Sequence, residues 1–322
     1  MKAAVIYQKG DMPVCTDVPA PVVQHSHELL LTVRAAAMKH FDKSVARGTH
    51  YSTIAGAQPR IIGGDGAGTL PDGKRVYALG VSGMAAEKAL IDGRRMVILP
   101  DQLDFATAAA LPNAVAGSAM ALRFRAGMQP GDTVLINGAT GFTGRLAVQI
   151  ARHYGAKKII ATGRNPDSLK QLLKLGADEV ISLSGSDTEF VQQVQHIHEQ
   201  TPIDVIVDYL WGHTAELLLA ALKGNGAFTH RTRFVSVGSM TGDKIQLSAE
   251  NLRSVNLQLT GSGLGSWTAQ EMDLLFSQIL PELLQLAAAG HLHTGITQVP
   301  LGDIAGLWDM EIPAGNRLVI VM

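Results

Sequence analysis

From about residue 113 the chain alternates between short, uninterrupted apolar runs and longer stretches of helical period. "TVLIN", "KKIIAT", "EVISL", "IDVIVDY" and "RFVSVG" are apolar almost throughout, and "RLAVQIARHYG", "SLKQLLKLG" and "TAELLLAALKG" lie between them. Strands that are apolar on both faces and spaced by helices predict a parallel sheet covered on both sides. Residues 1 to about 110 have another rhythm. There "MKAAVIYQ", "ELLLTVRAAAM", "PDGKRVYAL" and "RRMVILP" are apolar or alternating runs bounded by Gly, Pro and Asp, the pattern of a strand-rich domain. After residue 254, "NLQLTGSG" reads as one more strand, residues 268 to 289 as a helix ended by Gly290, and the tail returns to short strands and turns. The expected architecture is an α/β domain, residues 113–254, inserted into a β-rich domain made of residues 1–112 and 255–322.

The first strand of the α/β part runs into "NGATGFTG". Gly138, Gly141 and Gly144 space a G-x-x-G-x-x-G turn, and Leu146, Ala147, Ile150 and Ala151 then fall on one helical face. A strand, glycine turn and helix in this order set unpaired N–H groups at a helix N-terminus, where the dipole favours an anion. Glycine also lets the backbone approach a pyrophosphate. Gly138, Thr140, Gly141, Phe142, Thr143 and Gly144 are therefore the candidate phosphate cradle of a dinucleotide. At the end of the next strand an NAD site carries a carboxylate for the ribose 2′-hydroxyl. Gly163, Arg164 and Asn165 stand there instead. A guanidinium can pair with a 2′-phosphate, which favours NADPH; a solvated surface arginine is the other reading.

With 322 residues the chain can hold two domains. A net charge of −1 and a pI near 6.8 leave no electrostatic footprint for nucleic acid or an anionic membrane. A small-molecule substrate is expected. No uninterrupted apolar run approaches the roughly 18 residues of a membrane span, and "MKAAVIYQKGDM" meets Lys9 and Asp11 too early for a signal peptide, so a cytoplasmic location is expected. The single cysteine, Cys15, excludes an internal disulfide and any multi-cysteine metal site. The histidines of "HSHE", "HIH" and "HLH" have no ligand spacing with supporting residues.

Nearly the whole chain resembles the medium-chain dehydrogenase/reductases, in particular their zinc-independent, quinone oxidoreductase-like branch. The resemblance is carried by "GGDGAG" at 63 to 68, "DGKRVYALG" at 72 to 80, "AAALPNAVAGSAMAL" at 108 to 122, "PGDTVLINGATGFTGRLAVQIAR" at 130 to 152 and "LGADEVI" at 175 to 181. It implies a Rossmann doubly wound parallel sheet inserted into a β-rich, GroES-like catalytic domain. It also implies that Lys39, in "VRAAAMKHFD", stands at the place of the first zinc-ligand cysteine of zinc-dependent relatives, and Gly64 at that of the zinc histidine. Where the zinc-free branch commonly has Asn and Pro, this chain has Lys39 and His40. Either group could donate a hydrogen bond or proton, or only line the rim of a cleft. Tyr51 resembles a family tyrosine near the nicotinamide. Asp208, Tyr209 and Trp211, and then Gly238 and Ser239, follow sheet strands at the end where ligands of open parallel sheets bind; Tyr209 or Trp211 could instead be simple packing. Ser262, in "TGSGLGS", belongs to a stretch resembling the loop whose backbone meets the carboxamide.

The expected function is NADPH-dependent, zinc-independent reduction of quinones or α,β-unsaturated carbonyl compounds by hydride transfer, with Lys39, His40 and Tyr51 as candidate donors to the oxyanion. A non-catalytic NADPH-binding or sensor protein is the alternative, and a saturated-alcohol dehydrogenase a weaker one for want of zinc ligands. Tyr154 and Lys158 match the Tyr-x-x-x-Lys spacing of short-chain dehydrogenases, but at the far end of the helix that follows the glycines. An apolar last strand at a sheet edge, and the family resemblance, point to a homodimer.

Overall fold

The computed structural model describes residues 1–48, 59–224 and 230–322. The chain forms two units, Met1–Asn113 with Phe276–Met322, and Ala114–Leu275. The insertion expected from the sequence is present, but its second boundary falls after Leu275 rather than at 254. The reason is pairing: Leu257–Gly261 lies parallel to Thr232–Ser236 as the last strand of the inserted sheet. The helix expected over 268 to 289 is also found, as Ala269–Leu274 and Leu280–Ala288 joined by a π-helical turn, and Gly290 ends it at φ +78°.

In the inserted unit six parallel strands run in the spatial order Glu179–Ser182, Lys158–Gly163, Thr133–Asn137, Val205–Asp208, Thr232–Ser236, Leu257–Gly261. Counted along the chain, that is the doubly wound order 3-2-1-4-5-6. Strand order reverses between Thr133–Asn137 and Val205–Asp208, the place where such sheets hold a ligand beyond their carboxyl ends. Helices on the sheet bury Phe190, Val194, Leu218 and Leu219 against Leu135, Ile160, Ile206 and Phe234.

The other unit is antiparallel for the most part. Glu28–Met38 pairs with Asp65–Thr69 on one side and Lys88–Ile98 on the other, which closes a four-stranded loop of sheet through Arg75–Gly80. The glycines of "GGDGAG" serve this closure. A Cβ on Gly68 would lie 2.2 Å from the Thr32 carbonyl oxygen, and one on Gly66 2.7 Å from that of Ala35. The helical stretch Phe105–Arg125 is long and apolar enough to cross a membrane, contrary to the sequence expectation, because alanines around Pro112 and Asn113 hide its length; most of it is buried in the protein interior.

Candidate functional site

The strand ends at the reversal point are tied together by one buried carboxylate. Asp208, fully buried, accepts from the Asn137 Nδ2 group at 2.8 Å and from the backbone N–H groups of Leu210 and Trp211 at 3.0 and 3.1 Å. Asn137 in turn accepts from the Thr162 hydroxyl at 2.6 Å, and that hydroxyl oxygen accepts the Gly138 N–H at 3.0 Å. The Thr162 carbonyl takes the next donor, Ala139 N–H, at 2.8 Å. Burial pushes the Asp208 carboxyl up from its ordinary value, against the opposing pull of the Leu210, Asn137 and Trp211 donors.

Two unusual backbone positions flank this network. Gly138 has φ +82°, which glycine adopts freely. Trp211 has φ +58°, the only described non-glycine residue with positive φ, and such strain persists where neighbours over-determine it. The Asp208 carboxylate on its N–H is that determinant, with the Thr241 hydroxyl on its carbonyl at 2.9 Å.

The glycine turn has the form expected from the sequence. Gly141 is the N-cap of the helix Phe142–His153 and offers no capping side chain. No acidic residue lies in that turn. A Cβ on Gly144 would lie 2.6 Å from the Ala139 Cα, whereas the nearest atom to one on Gly141 is 4.0 Å away. Gly144 is thus required by helix packing, and Gly141 leaves space on its exposed side. Phe142 is buried, and Thr140 and Thr143 are half-buried. Arg145, which sequence reasoning missed, bonds the Thr140 carbonyl through Nε at 3.1 Å, and burial lowers its pKa.

The other predicted positions are only partly as expected. Gly163 packs on the turn itself, since a Cβ there would meet the Thr140 methyl at 2.3 Å. Arg164 is exposed, and its guanidinium makes no ion pair among the described residues. Asn165 spends its side-chain oxygen on the Ser168 N–H, 2.8 Å, as N-cap of Pro166–Lys174. The Ser118 hydroxyl donates to the Ala114 carbonyl, which makes the Tyr209 hydroxyl the donor in its 2.8 Å bond to Ser118; burial raises the tyrosine pKa. The proton of the Tyr209 hydroxyl is thus engaged within the fold. Gly238 is needed because a Cβ would lie 2.7 Å from the Tyr209 carbonyl oxygen, while Ser239 is exposed. Ser262 is buried, donates its N–H to the Ser236 carbonyl at 2.8 Å and accepts from the Trp267 indole at 3.1 Å. Asn137, Thr162 and Ser118 carry no sequence signal beyond their places at strand ends and on an apolar helix.

In the other unit, Lys39 and His40 begin the helix His40–Arg47. Lys39 is buried, and its ammonium bonds Asp65, Asp42 at 3.1 Å and the Ala37 carbonyl at 3.2 Å. Its hydrogen bonds go to Asp65 and the Ala37 carbonyl, and its contact with Asp42 is an ion pair. His40 is exposed at the surface. Partial burial of its ring, then the charges of Arg317, Lys43 and Arg47, hold its pKa below 6.5. Tyr51 lies outside the described residues. Among the described residues no group of three or more His, Cys, Asp or Glu could hold a metal ion.

Residues 143–285 match the family model described as zinc-binding dehydrogenase. A probable NADPH-dependent quinone reductase of Emericella nidulans is 27% identical, with 96% of each chain covered. The quinone oxidoreductase of Homo sapiens is 28% identical over 95% of this chain and 92% of its own. Among solved structures, a mycobacterial quinone oxidoreductase superposes with a TM-score of 0.86 at 22% identity, covering 100% of both chains.

Asp208→Ala should lower stability by about 1–3 kcal/mol for each buried donor left without an acceptor, whereas Asp208→Asn keeps an acceptor and should cost less. Because the folded pKa is raised, ionisation of Asp208 works against folding: its favourable contribution is complete below 3.8 and is lost as pH rises through the folded value. Urea denaturation of wild type and Asp208→Asn from pH 4 to 7 reads this. The gap between the two proteins should move in favour of the asparagine variant as pH rises.

Proposed function

We propose that the chain is a medium-chain dehydrogenase/reductase, similar to the quinone oxidoreductases, and that it is an NADPH-dependent reductase of quinones, active also on α,β-unsaturated carbonyl compounds. The observation that carries the proposal is the uncapped glycine turn at the reversal point, with Arg164 rather than a carboxylate at the end of the neighbouring strand. The fit is good: the turn leaves room beside Gly141, and its helix carries no anion in the first turn. The Thr143 N–H would hold the pyrophosphate and Arg164 the 2′-phosphate. Gly163 would lie against the cofactor without a side chain, and Asn165 retains its amide N–H groups for a contact.

When bound, NADPH supplies the hydride. The substrate's oxyanion then needs a hydrogen-bond donor and finally a proton. His40 is the described donor best suited, since its side chain reaches solvent and the Lys39 ammonium is buried against Asp65 and Asp42. Its ring is neutral at pH 7, so it donates from a neutral N–H there and from an imidazolium at lower pH. Zinc does not fit: at the family's ligand places stand Lys39, whose ammonium already fills the space beside Asp42 and Asp65, and Gly64, which has no donor side chain. The reaction is therefore derived without it. A homodimer formed by pairing the Leu257–Gly261 edges of two sheets is part of the same proposal; the strand is the sheet's last and is half-buried to exposed.

Turnover of NADPH with 1,4-benzoquinone, 9,10-phenanthrenequinone and simple enones tests the proposal. Oxidation with at least the quinones is expected; NADPH binding without oxidation under any of them means a binding protein instead. NADPH should bind more tightly than NADH by roughly tenfold or more, and Arg164→Ala should remove most of that difference, because a charge-assisted pair contributes about 1.5–3 kcal/mol. In the same assay wild-type activity should rise as pH falls through the depressed His40 pKa, and His40→Asn should flatten that rise. Light scattering at micromolar concentration should give about twice the 34.1 kDa of one chain; the single-chain mass rules the dimer out.

A further inference from the structure

Five ionisable side chains are buried together in the antiparallel unit: Lys39, Asp42, Asp65, Tyr77 and Arg317. The Lys39 ammonium donates to Asp65 and to the Ala37 carbonyl at 3.2 Å and is ion-paired with Asp42 at 3.1 Å. The remaining carboxylate oxygens are also served. Tyr77 donates to Asp65 Oδ2 at 2.7 Å and the Gly64 N–H to Asp42 Oδ1 at 3.1 Å, while Asp42 Oδ2 takes the Lys39 N–H at 2.9 Å. Burial opposes the charge on Lys39, but Asp42 and Asp65 outweigh it and hold its pKa above the ordinary value; Arg317, fully buried, is pushed down to about 10. Two carboxylates and a backbone carbonyl are an oxygen-only donor set of the kind that holds hard cations, and unlike the nitrogen and sulfur donors typical of zinc.

We propose that Asp42, Asp65 and the Ala37 carbonyl form a cation site whose resident is the chain's own Lys39 ammonium, so that removing this side chain opens a site for a free primary ammonium ion. The tether makes the cation permanent. It explains why the place matching a metal ligand can carry lysine: with Arg317 alone beside them, two buried carboxylates would be left one positive charge short, which would be strongly unfavourable. The proposal does not depend on the reaction that the enzyme performs.

Lys39→Ala removes the equivalent of propylammonium, and thermal unfolding of that variant with and without n-propylammonium chloride is the test. Its Tm should fall by on the order of 10 °C and recover in large part, saturably, with n-propylammonium. Tetramethylammonium chloride at matched ionic strength should not restore it, having no N–H to donate, and wild type should not respond. If Lys39→Ala does not fold, Lys39→Met and Lys39→Met/Asp65→Asn are compared instead. The double variant, relieved of one uncompensated charge, should be the more stable. A Lys39→Ala protein as stable as wild type, equal effects of the two ammonium salts, or a double variant no better than Lys39→Met would each overturn the proposal.

Discussion

A single carboxylate inside a parallel sheet, Asp208, sets the geometry on which the candidate site depends. It is buried at a cost that raises its pKa, and it is kept there by three donors from two directions. Through Asn137 and Thr162 its influence reaches the Gly138 N–H, so the ends of three strands are locked in one register. The main chain can then leave the sheet in two left-handed steps, at Gly138 and at Trp211, without either relaxing. Between those exits lies the reversal of strand order. The fold supplies the crevice, and the buried network fixes where its donors point.

The two units handle charge differently. In the parallel one, a carboxylate is buried without a cationic partner and is balanced by dipoles: amide N–H groups and an asparagine. In the antiparallel one, two carboxylates are balanced by Lys39 and Arg317. Arg164 and His40, both exposed, stand outside these two networks.

The parallel sheet was legible because strands covered on both faces must be apolar throughout; "TVLIN" is the strand Thr133–Asn137 to the residue. The glycines after it were legible for the same kind of reason, since Gly138 takes a left-handed φ and Gly144 tolerates no Cβ. Long-range polar pairing was not legible. Nothing local in "VRAAAMKHFD" says that Lys39 turns inward to Asp65, so a residue read as a donor proves to be engaged. Asn165 similarly reads as part of a nucleotide loop, though its first use is to cap a helix, an interaction its position just before Pro166 could have suggested. The boundary at 254 was misplaced because a change of rhythm marks the last helix of a pattern, while membership of a sheet is decided by pairing.

If the strand-end network holds the turn for a pyrophosphate, breaking its middle link should weaken the cofactor before it weakens the fold. Thr162→Val is nearly isosteric and removes both the acceptor for Gly138 N–H and the donor to Asn137. The NADPH dissociation constant of this variant, measured by fluorescence titration on folded protein, should rise about tenfold or more, the equivalent of about 1.4 kcal/mol. An unchanged constant would mean that the turn keeps its shape without the network, and would contradict the account.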